Sequence, residues 1–542
     1  MDRICGDAIH VCGRRQVVLA VVGVLEHDAM KDVFASEGGD FHDLAHGGAV
    51  TGDDRLTSRH RGPGDLFFSH ATHDKAAELW DRCRVPPEIV TIETPELGDR
   101  SYVVIAGDHA VVVDPQRDID RVLEVLSGRG STLSHVLETH IHNDYVSGGP
   151  ELCRLTGAAH VIPAGEPVAY ARQAIGDGES IAAGGVTIRA RHTPGHTATH
   201  MTYLLEDGGR PVAAFTGGSM LLGSVGRTDL AGPWATDHLS HLQHRSARRL
   251  SDELPDDAAI LPTHGFGSLC SAGFPVGAAQ TADARHQRAE NPALLMDEDA
   301  FVTRLISGLD AFPRYYAYIA PRNREGAASV DLSLPFRSDA RELVDRVSAG
   351  EWVVDLRERR AFAARHLPGT LAFELSDPLT TYLGWLLPWG SPVSLIGATP
   401  ADLATARRAL ARIGIETIAA CGIVEAGNGG GDPWTGLPTA SYPLVGFSEL
   451  RGYNGAPGEE VVDVRLRGEW NDGHLPGARH IPLHELPDRI DEVPPGRVWV
   501  HCAAGYRAAV AGSLLARAGR DVMVVSDPIE NAIACGLELV AD

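Results

Sequence analysis

A short apolar run ending in Asp-X-Arg occurs twice in this chain, and no other feature constrains its fold as strongly. Trp352-Val353-Val354-Asp355-Leu356-Arg357 recurs 108 positions later as Glu460-Val461-Val462-Asp463-Val464-Arg465, and His366-Leu367-Pro368-Gly369 recurs at the same spacing as His474-Leu475-Pro476-Gly477. Leu410-Ala411-Arg412-Ile413-Gly414 returns 105 positions on as Leu515-Ala516-Arg517-Ala518-Gly519. Strand-like and helix-like segments repeated in the same order mean two copies of one small α/β unit. Residues 427–433 close the first copy and lead into the second. A chain of 542 residues exceeds a single core and divides into about three or four domains. The expected spans are an extension over 1–88, a first domain over 89–335, and the two copies over 338–440 and 445–542.

Charge excludes one class of partner. With 48 basic and 72 acidic residues the net charge is −24, whereas nucleic-acid binding needs clustered cations. Eight unevenly spaced cysteines make no disulfide framework, so a reducing cytoplasmic setting is expected. The apolar run from Val17 to Leu25 follows two arginines but is too short to span a bilayer, and Glu26-His27-Asp28 stands where a cleavage site would be. No membrane association is expected. The extension holds both lysines and many loop-forming residues, without a sustained period; it reads as poorly ordered or foreign to the functional protein, and no function is assigned to it.

From residue 89 the pattern tightens. Tyr102–Ile105, Ala110–Val113 and His135–Leu137 read as short buried strands, with a helix over Ile119–Leu126. Further strands are expected at Val186–Ala190, Met201–Leu205 and Val212–Phe215, and helices near Pro150–Leu155 and His238–Leu250. Such alternation indicates layered α/β architecture.

Two loops carry chemistry. In the second copy a strand, Val498–His501, meets a helix, Ala508–Ala518, through the turn Cys502-Ala503-Ala504-Gly505-Tyr506-Arg507. A cysteine beneath backbone N–H groups at a helix N-terminus, with an arginine beside it, is expected to favour the thiolate. Ala503, Ala504, Gly505 and Tyr506 would cradle the anionic substrate. These residues, with Asp463-Val464-Arg465 and Gly473-His474-Leu475-Pro476-Gly477-Ala478, make this domain resemble the rhodanese family. The resemblance implies that Cys502 accepts a sulfane sulfur as a persulfide, with Arg507 assisting. In the first copy Gly397 stands at the Cys502 position and Asp402 at that of Arg507, so that copy should carry no persulfide. Cys421 is expected in its core.

The other loop is Thr139-His140-Ile141-His142-Asn143-Asp144-Tyr145. Two later histidines, His196 in His192-Thr193-Pro194-Gly195-His196 and His264 in Pro262-Thr263-His264-Gly265, also follow apolar runs or turns. Four histidines at strand-end loops, with Asp144 among them, indicate a metal site. The order of these motifs resembles the metallo-β-lactamase superfamily, most closely the persulfide dioxygenases fused to rhodanese domains. Asp114-Pro115-Gln116-Arg117-Asp118, Gly226-Arg227-Thr228-Asp229-Leu230 and the run from His264 to Cys270 add to it. The resemblance implies an αββα sandwich followed by two small α/β domains with parallel sheets. It also implies one metal ion, Fe(II) rather than Zn(II), and oxidation of a low-molecular-weight thiol persulfide by O2 to sulfite, with thiosulfate or sulfite as further sulfur partners. A homo-oligomer is compatible with it.

This chain departs from the family twice: Tyr145 replaces the last histidine of the motif, and Gly218 replaces an iron-binding aspartate. Three outcomes stay open: a site of His140, His142 and His196; Asp144 as the replacement carboxylate, with Tyr145 or His264 hydrogen-bonding a ligand; or an empty scaffold. If the missing carboxylate limits activity, Gly218→Asp should raise metal occupancy. Other functions compatible with the sequence are sulfur transfer alone, zinc-dependent thioester hydrolysis of the glyoxalase II type, and non-enzymatic sulfur carriage.

Overall fold

A computed structural model of the chain describes residues 86–265, 267–272, 281–424, 434–451, 453 and 458–541. The expected extension up to residue 85, the closing stretch at 427–433 and Phe266 of the His264 loop lie outside the described residues.

The first sheet runs β1 (Glu88–Thr94), β2 (Asp99–Ala106), β3 (His109–Val113), β4 (Thr132–Leu137), β5 (Ala159–Pro163) and β6 (Gln173–Ile175), in that spatial order. Its β1–β3 pairs are antiparallel and the rest parallel. The second contains β7 (Ser180–Ala183), β8 (Val186–His192), β9 (Met201–Asp207), β10 (Arg210–Gly217), β11 (Ala259–Pro262) and β12 (Ala282–Asp283), ordered 12-11-10-9-8-7. Side chains alternate across a strand, and that alternation separates three cores. Tyr102, Val104, Val111 and Leu137 meet Ile188, Tyr203, Leu205 and Phe215 between the sheets. Val103, Ile105, Val112 and Val136 face outward onto α1 (Asp120–Arg129) and α2 (Gly149–Thr156), through Val122, Leu126 and Leu152. Leu204, Ala214 and Ile260 do the same against α3 (Pro233–Glu253). The result is the αββα sandwich.

Helix α4 (Tyr316–Glu325) leads out of the sandwich to two parallel sheets. The first joins β13 (Trp352–Asp355), β14 (Leu371–Ala372), β15 (Val393–Gly397) and β16 (Ile418–Ile423) in the order 14-13-15-16. The second joins β17 (Leu444–Val445), β18 (Glu459–Asp463), β19 (Arg479–His480), β20 (Arg497–His501) and β21 (Asp521–Val525) in the order 17-21-20-18-19. Apart from the added β17, the two orders coincide strand for strand, as the repeat requires. Details coincide too. Asp355 pairs with Arg357 as Asp463 does with Arg465, and His366 and His474 each hold a carbonyl four residues back. Cys421 is buried in β16.

One boundary differs from expectation. Helix α7 (Tyr506–Arg517) begins two residues before the expected Ala508, so Tyr506 and Arg507 form its first turn rather than the connecting loop. Gly505, at φ +98, makes the left-handed step into the helix, which a side chain would resist. The expected helix over His238–Leu250 lies within the longer α3. Among the described residues no helix is long and apolar enough to cross a membrane.

Candidate functional site

Every metal-candidate residue sits on a loop at one edge of the sandwich. The 139–145 loop follows β4, His196 lies between β8 and β9, and His264 follows β11. Asp114 follows β3 in a left-handed conformation, φ 52, and β10 ends at Gly217. Helix α3 ties two of these loops together through one side chain. Gln243 accepts from the His196 amide at 2.7 Å and donates to the carbonyls of Gly218 and Ser219 at 3.1 and 2.6 Å.

The loops bring His140, His196 and His264 together, with ligand atoms all within 4.8 Å of one another, and likewise His142, Asp144 and His264. All five side chains are buried. What distinguishes this group from an ordinary histidine cluster is where the second nitrogen of each ring goes. His140 Nδ1 lies 2.9 Å from Thr139 Oγ1, whose own proton goes to Asp114 Oδ2 at 2.7 Å, so the histidine donates. His196 Nδ1 donates to the Arg227 carbonyl at 2.7 Å. His264 Nδ1 is 3.0 Å from Asp99 Oδ1, and His142 Nε2 is 3.2 Å from Asp114 Oδ1. The rings of His140, His196 and His264 are thus fixed from outside, leaving their Nε2 atoms facing inward, whereas His142 stands beside Asp114 without a formed hydrogen bond on either nitrogen. Outward carboxylates, carbonyls and hydroxyls that orient imidazoles are how metal sites set tautomers.

A further histidine, His200, is excluded as a ligand by the same accounting. Its Nδ1 contacts Thr193 Oγ1 at 2.9 Å and its Nε2 accepts the Gly218 amide at 3.0 Å.

Electrostatics divide the group in two. Burial drives His140 well below the usual imidazole range, reinforced by His142, and it lowers His196 to about 3, aided by His264. Burial also opposes charge on His264, but Asp144 and Asp99 outweigh it and raise that ring to about 10. Burial and the adjacent Asp144 lift Asp99 to about 8, while His264 overcomes burial and keeps Asp144 ionised. Without metal, His264 is therefore an imidazolium whose Nε2 lies 3.3 Å from Nε2 of His140. Among the described residues Asp144 Oδ1, Asp144 Oδ2 and both ring nitrogens of His142 are buried without a formed hydrogen bond, although His264 Nδ1 stands 3.2 Å from Asp144 Oδ2, and these are atoms that a metal ion would satisfy.

The structure groups His264 with His140 and His196, a set outside the three left open by the sequence, and places His142 both with Asp144 and His264 and with Asp114 and Glu138. Tyr145 does not take the ligand-bonding role expected of it. Its ring stacks on His142 with centroids 4.3 Å apart, and its hydroxyl donates to the Asp114 carbonyl at 3.3 Å, behind the site. Gly218 also reads differently. A Cβ there would lie 2.2 Å from His196 Cδ2, so the imidazole occupies the space a side chain would need. Restoring aspartate would displace His196 rather than add a ligand. Thr139, Thr193 and Arg227 stood in the sequence only as members of the motifs, without a role; Asp99, Gln243, Glu138, which lies 3.6 Å from His142 Nε2, and Asn323, which donates to the His142 carbonyl at 2.9 Å, were assigned none, because isolated polar residues next to apolar runs carry no periodic signal.

In the other loop, the Gly505 amide donates to Cys502 Sγ at 3.0 Å, and Cys502 is buried. Ala504 is exposed at the mouth, Ala503 and Tyr506 partly so. Arg507 departs from expectation: it turns to Glu469, with Nη2 2.7 Å from Oε1, so its charge is compensated before any substrate arrives. In the first copy Gly397 ends β15 at the Cys502 position. There Thr399 accepts from the Asp402 amide at 3.2 Å and Asp402 accepts from the Thr399 amide at 2.9 Å. That capping box takes two of the amides at the helix start, and Pro400, in the place of Gly505, has no N–H to offer an anion.

A metallo-beta-lactamase superfamily model matches residues 95–264, and a rhodanese-like domain model matches 447–531. The lactamase-like protein notP of Aspergillus sp. is 35% identical over 174 residues, 31% of this chain and 50% of that protein. The probable polyketide biosynthesis zinc-dependent hydrolase BaeB of Bacillus velezensis is 31% identical over 189 residues, 33% of this chain and 80% of its own length. A metallo-beta-lactamase crystal structure from Staphylococcus aureus subsp. aureus COL aligns over 62% of this chain and 99% of its own, with TM-score 0.56 and 24% identity, a likeness of fold.

Proposed function

Because this chain belongs to the metallo-beta-lactamase superfamily and carries a rhodanese-like domain behind that fold, we propose that it is a two-centre enzyme of sulfur metabolism. Its first centre oxidises a low-molecular-weight thiol persulfide with O2, and Cys502 transfers sulfane sulfur. The observation that carries this reading is the inward-facing set of imidazole nitrogens, each oriented from behind, in the same chain as a cysteine that already accepts a backbone N–H.

His140, His196 and His264 would hold one metal ion, with His142 and Asp144 beside it. Once bound, the ion, Fe(II) in preference to Zn(II), would supply a binding site for the persulfide and for O2. In the net reaction the sulfane sulfur loses four electrons as O2 gains four, and persulfide, O2 and water become thiol, sulfite and two protons. The chain's own residues orient the rings through Asp114, Thr139, Arg227 and Asp99. Asp144 and Asp99 hold a proton and a negative charge within the buried site. At the second centre the Cys502 thiolate attacks the sulfane sulfur of thiosulfate. The S–S bond breaks, sulfite leaves with the electron pair, and the Gly505 amide steadies the resulting persulfide anion.

A zinc-dependent hydrolase is the second reading, supported by the name of BaeB and by the adjoining group of His142, Asp144 and His264. One experiment separates them: anaerobically loaded Fe(II) or Zn(II) protein is given glutathione persulfide in an oxygen electrode, then a glutathione thioester in a thiol-release assay. Stoichiometric O2 uptake with iron supports the dioxygenase. Thioester turnover with zinc and no O2 uptake replaces it with the hydrolase.

A further inference from the structure

The copy without a nucleophile is built into the back of the metal loop. The Val146 amide, next to Tyr145, donates to the Arg412 carbonyl at 2.7 Å. Arg412 ends helix α6 (Pro400–Arg412), and its side chain is buried. Its Nε and Nη2 donate to Asp118 Oδ1 and Oδ2 at 3.1 and 2.6 Å, and Nη1 reaches Glu96. One turn earlier, Arg408 grips Asp120 with two bonds of 2.6 and 2.7 Å. On the other side of the joint, the Tyr315 hydroxyl donates to the Asp144 carbonyl at 3.0 Å. The Tyr315 ring abuts helix α5 (Pro378–Leu386) of the silent copy so closely that a Cβ on Gly384 would lie 2.7 Å from it. Tyr145 and Val146 accordingly belong to the hydrophobic cluster that runs through both small units, not to the cores of the sandwich.

The repeat supplies an internal control. Arg517 occupies the place of Arg412 in the other copy, yet it is only partly buried and donates to the Gly350 carbonyl at 2.9 Å. The unit's fold does not call for a buried guanidinium at this position. Burying one is costly unless it is paired, and both carboxylates that pair with Arg412 come from the sandwich.

The geometry points to the silent copy as a clamp that sets the 144–146 backbone, and hence Asp144 and the neighbouring rings, with Arg412 as its positioning residue. The clamp rests on the metal-centre reading for its purpose, but its mechanics can be measured without metal. In the full-length protein, Arg412→Gln should speed amide exchange across residues 140–147 and weaken Zn(II) binding, by chelator competition, about tenfold. Exchange in α7 should be unchanged. Arg517→Gln should alter neither metal affinity nor exchange in the loop. Where Arg412→Gln does not fold, Arg408→Gln at the partly exposed rim should move both readouts the same way by a smaller factor. Loop exchange that matches wild type in the folded variant overturns the clamp. Wild-type protein that takes up no Zn(II) or Fe(II) overturns the metal-centre reading instead, and the exchange measurement alone then decides the clamp.

Discussion

Gly218 illustrates how one residue can be misjudged from sequence. Where a family resemblance implies a carboxylate, a glycine looks like a lost ligand, but the structure fills that space with the His196 imidazole. Gly218→Asp is therefore expected to lower metal affinity by about tenfold or more, because it moves a ring whose orientation the site depends on; isothermal titration with Zn(II) reads the sign directly. His264 makes a second prediction. It is raised to about 10, so at pH 7 it carries a proton that a metal must displace. Metal uptake by the apoprotein should release about one proton, and affinity should climb as pH rises from 6 toward 9. Uptake without proton release, followed with a pH indicator in weak buffer, would place the metal away from this ring.

At the level of elements, the two strand–turn–helix crossings of the repeat show how little separates a reactive loop from an inert one. β20 and α7 leave the Gly505 amide on a sulfur, whereas at the start of α6 its counterpart is Pro400, which has no N–H, and the Thr399 and Asp402 amides on either side are taken by a capping box. Cys502→Ser should abolish sulfur transfer from thiosulfate to cyanide and leave metal content unchanged. The first turn of α7 holds a subtler effect, because Glu469 offsets the charge of Arg507. Glu469→Gln should raise the rate with the thiosulfate dianion about two- to tenfold at low salt, and the gain should shrink as salt screens the freed charge. An equal rate at every ionic strength would show that Arg507 does not meet the substrate.

Across the whole molecule, metal binding to a site made by three loops drawn from both sheets should act as a cross-brace. Chelator treatment is expected to lower the melting temperature of the sandwich, since a ligand bound only by the folded state stabilises it by mass action. Transfer at Cys502 should survive at temperatures below that transition. Much of this organisation was legible in the chain. Periodicity placed β2, β3, β4, β8, β9 and β10 because strands buried on alternating faces leave an apolar signature that needs no partner to be read. The repeat fixed two units of like topology, and local motifs singled out His140, His142, Asp144, His196, His264 and Cys502. Tertiary structure alone decided which way each ring faces, that Tyr145 turns its hydroxyl behind the site, that Arg507 is already paired, and that Arg412 reaches across to Asp118. Those outcomes depend on contacts between residues tens to hundreds of positions apart, and a linear pattern records a side chain's chemistry but not the neighbours that folding brings to it.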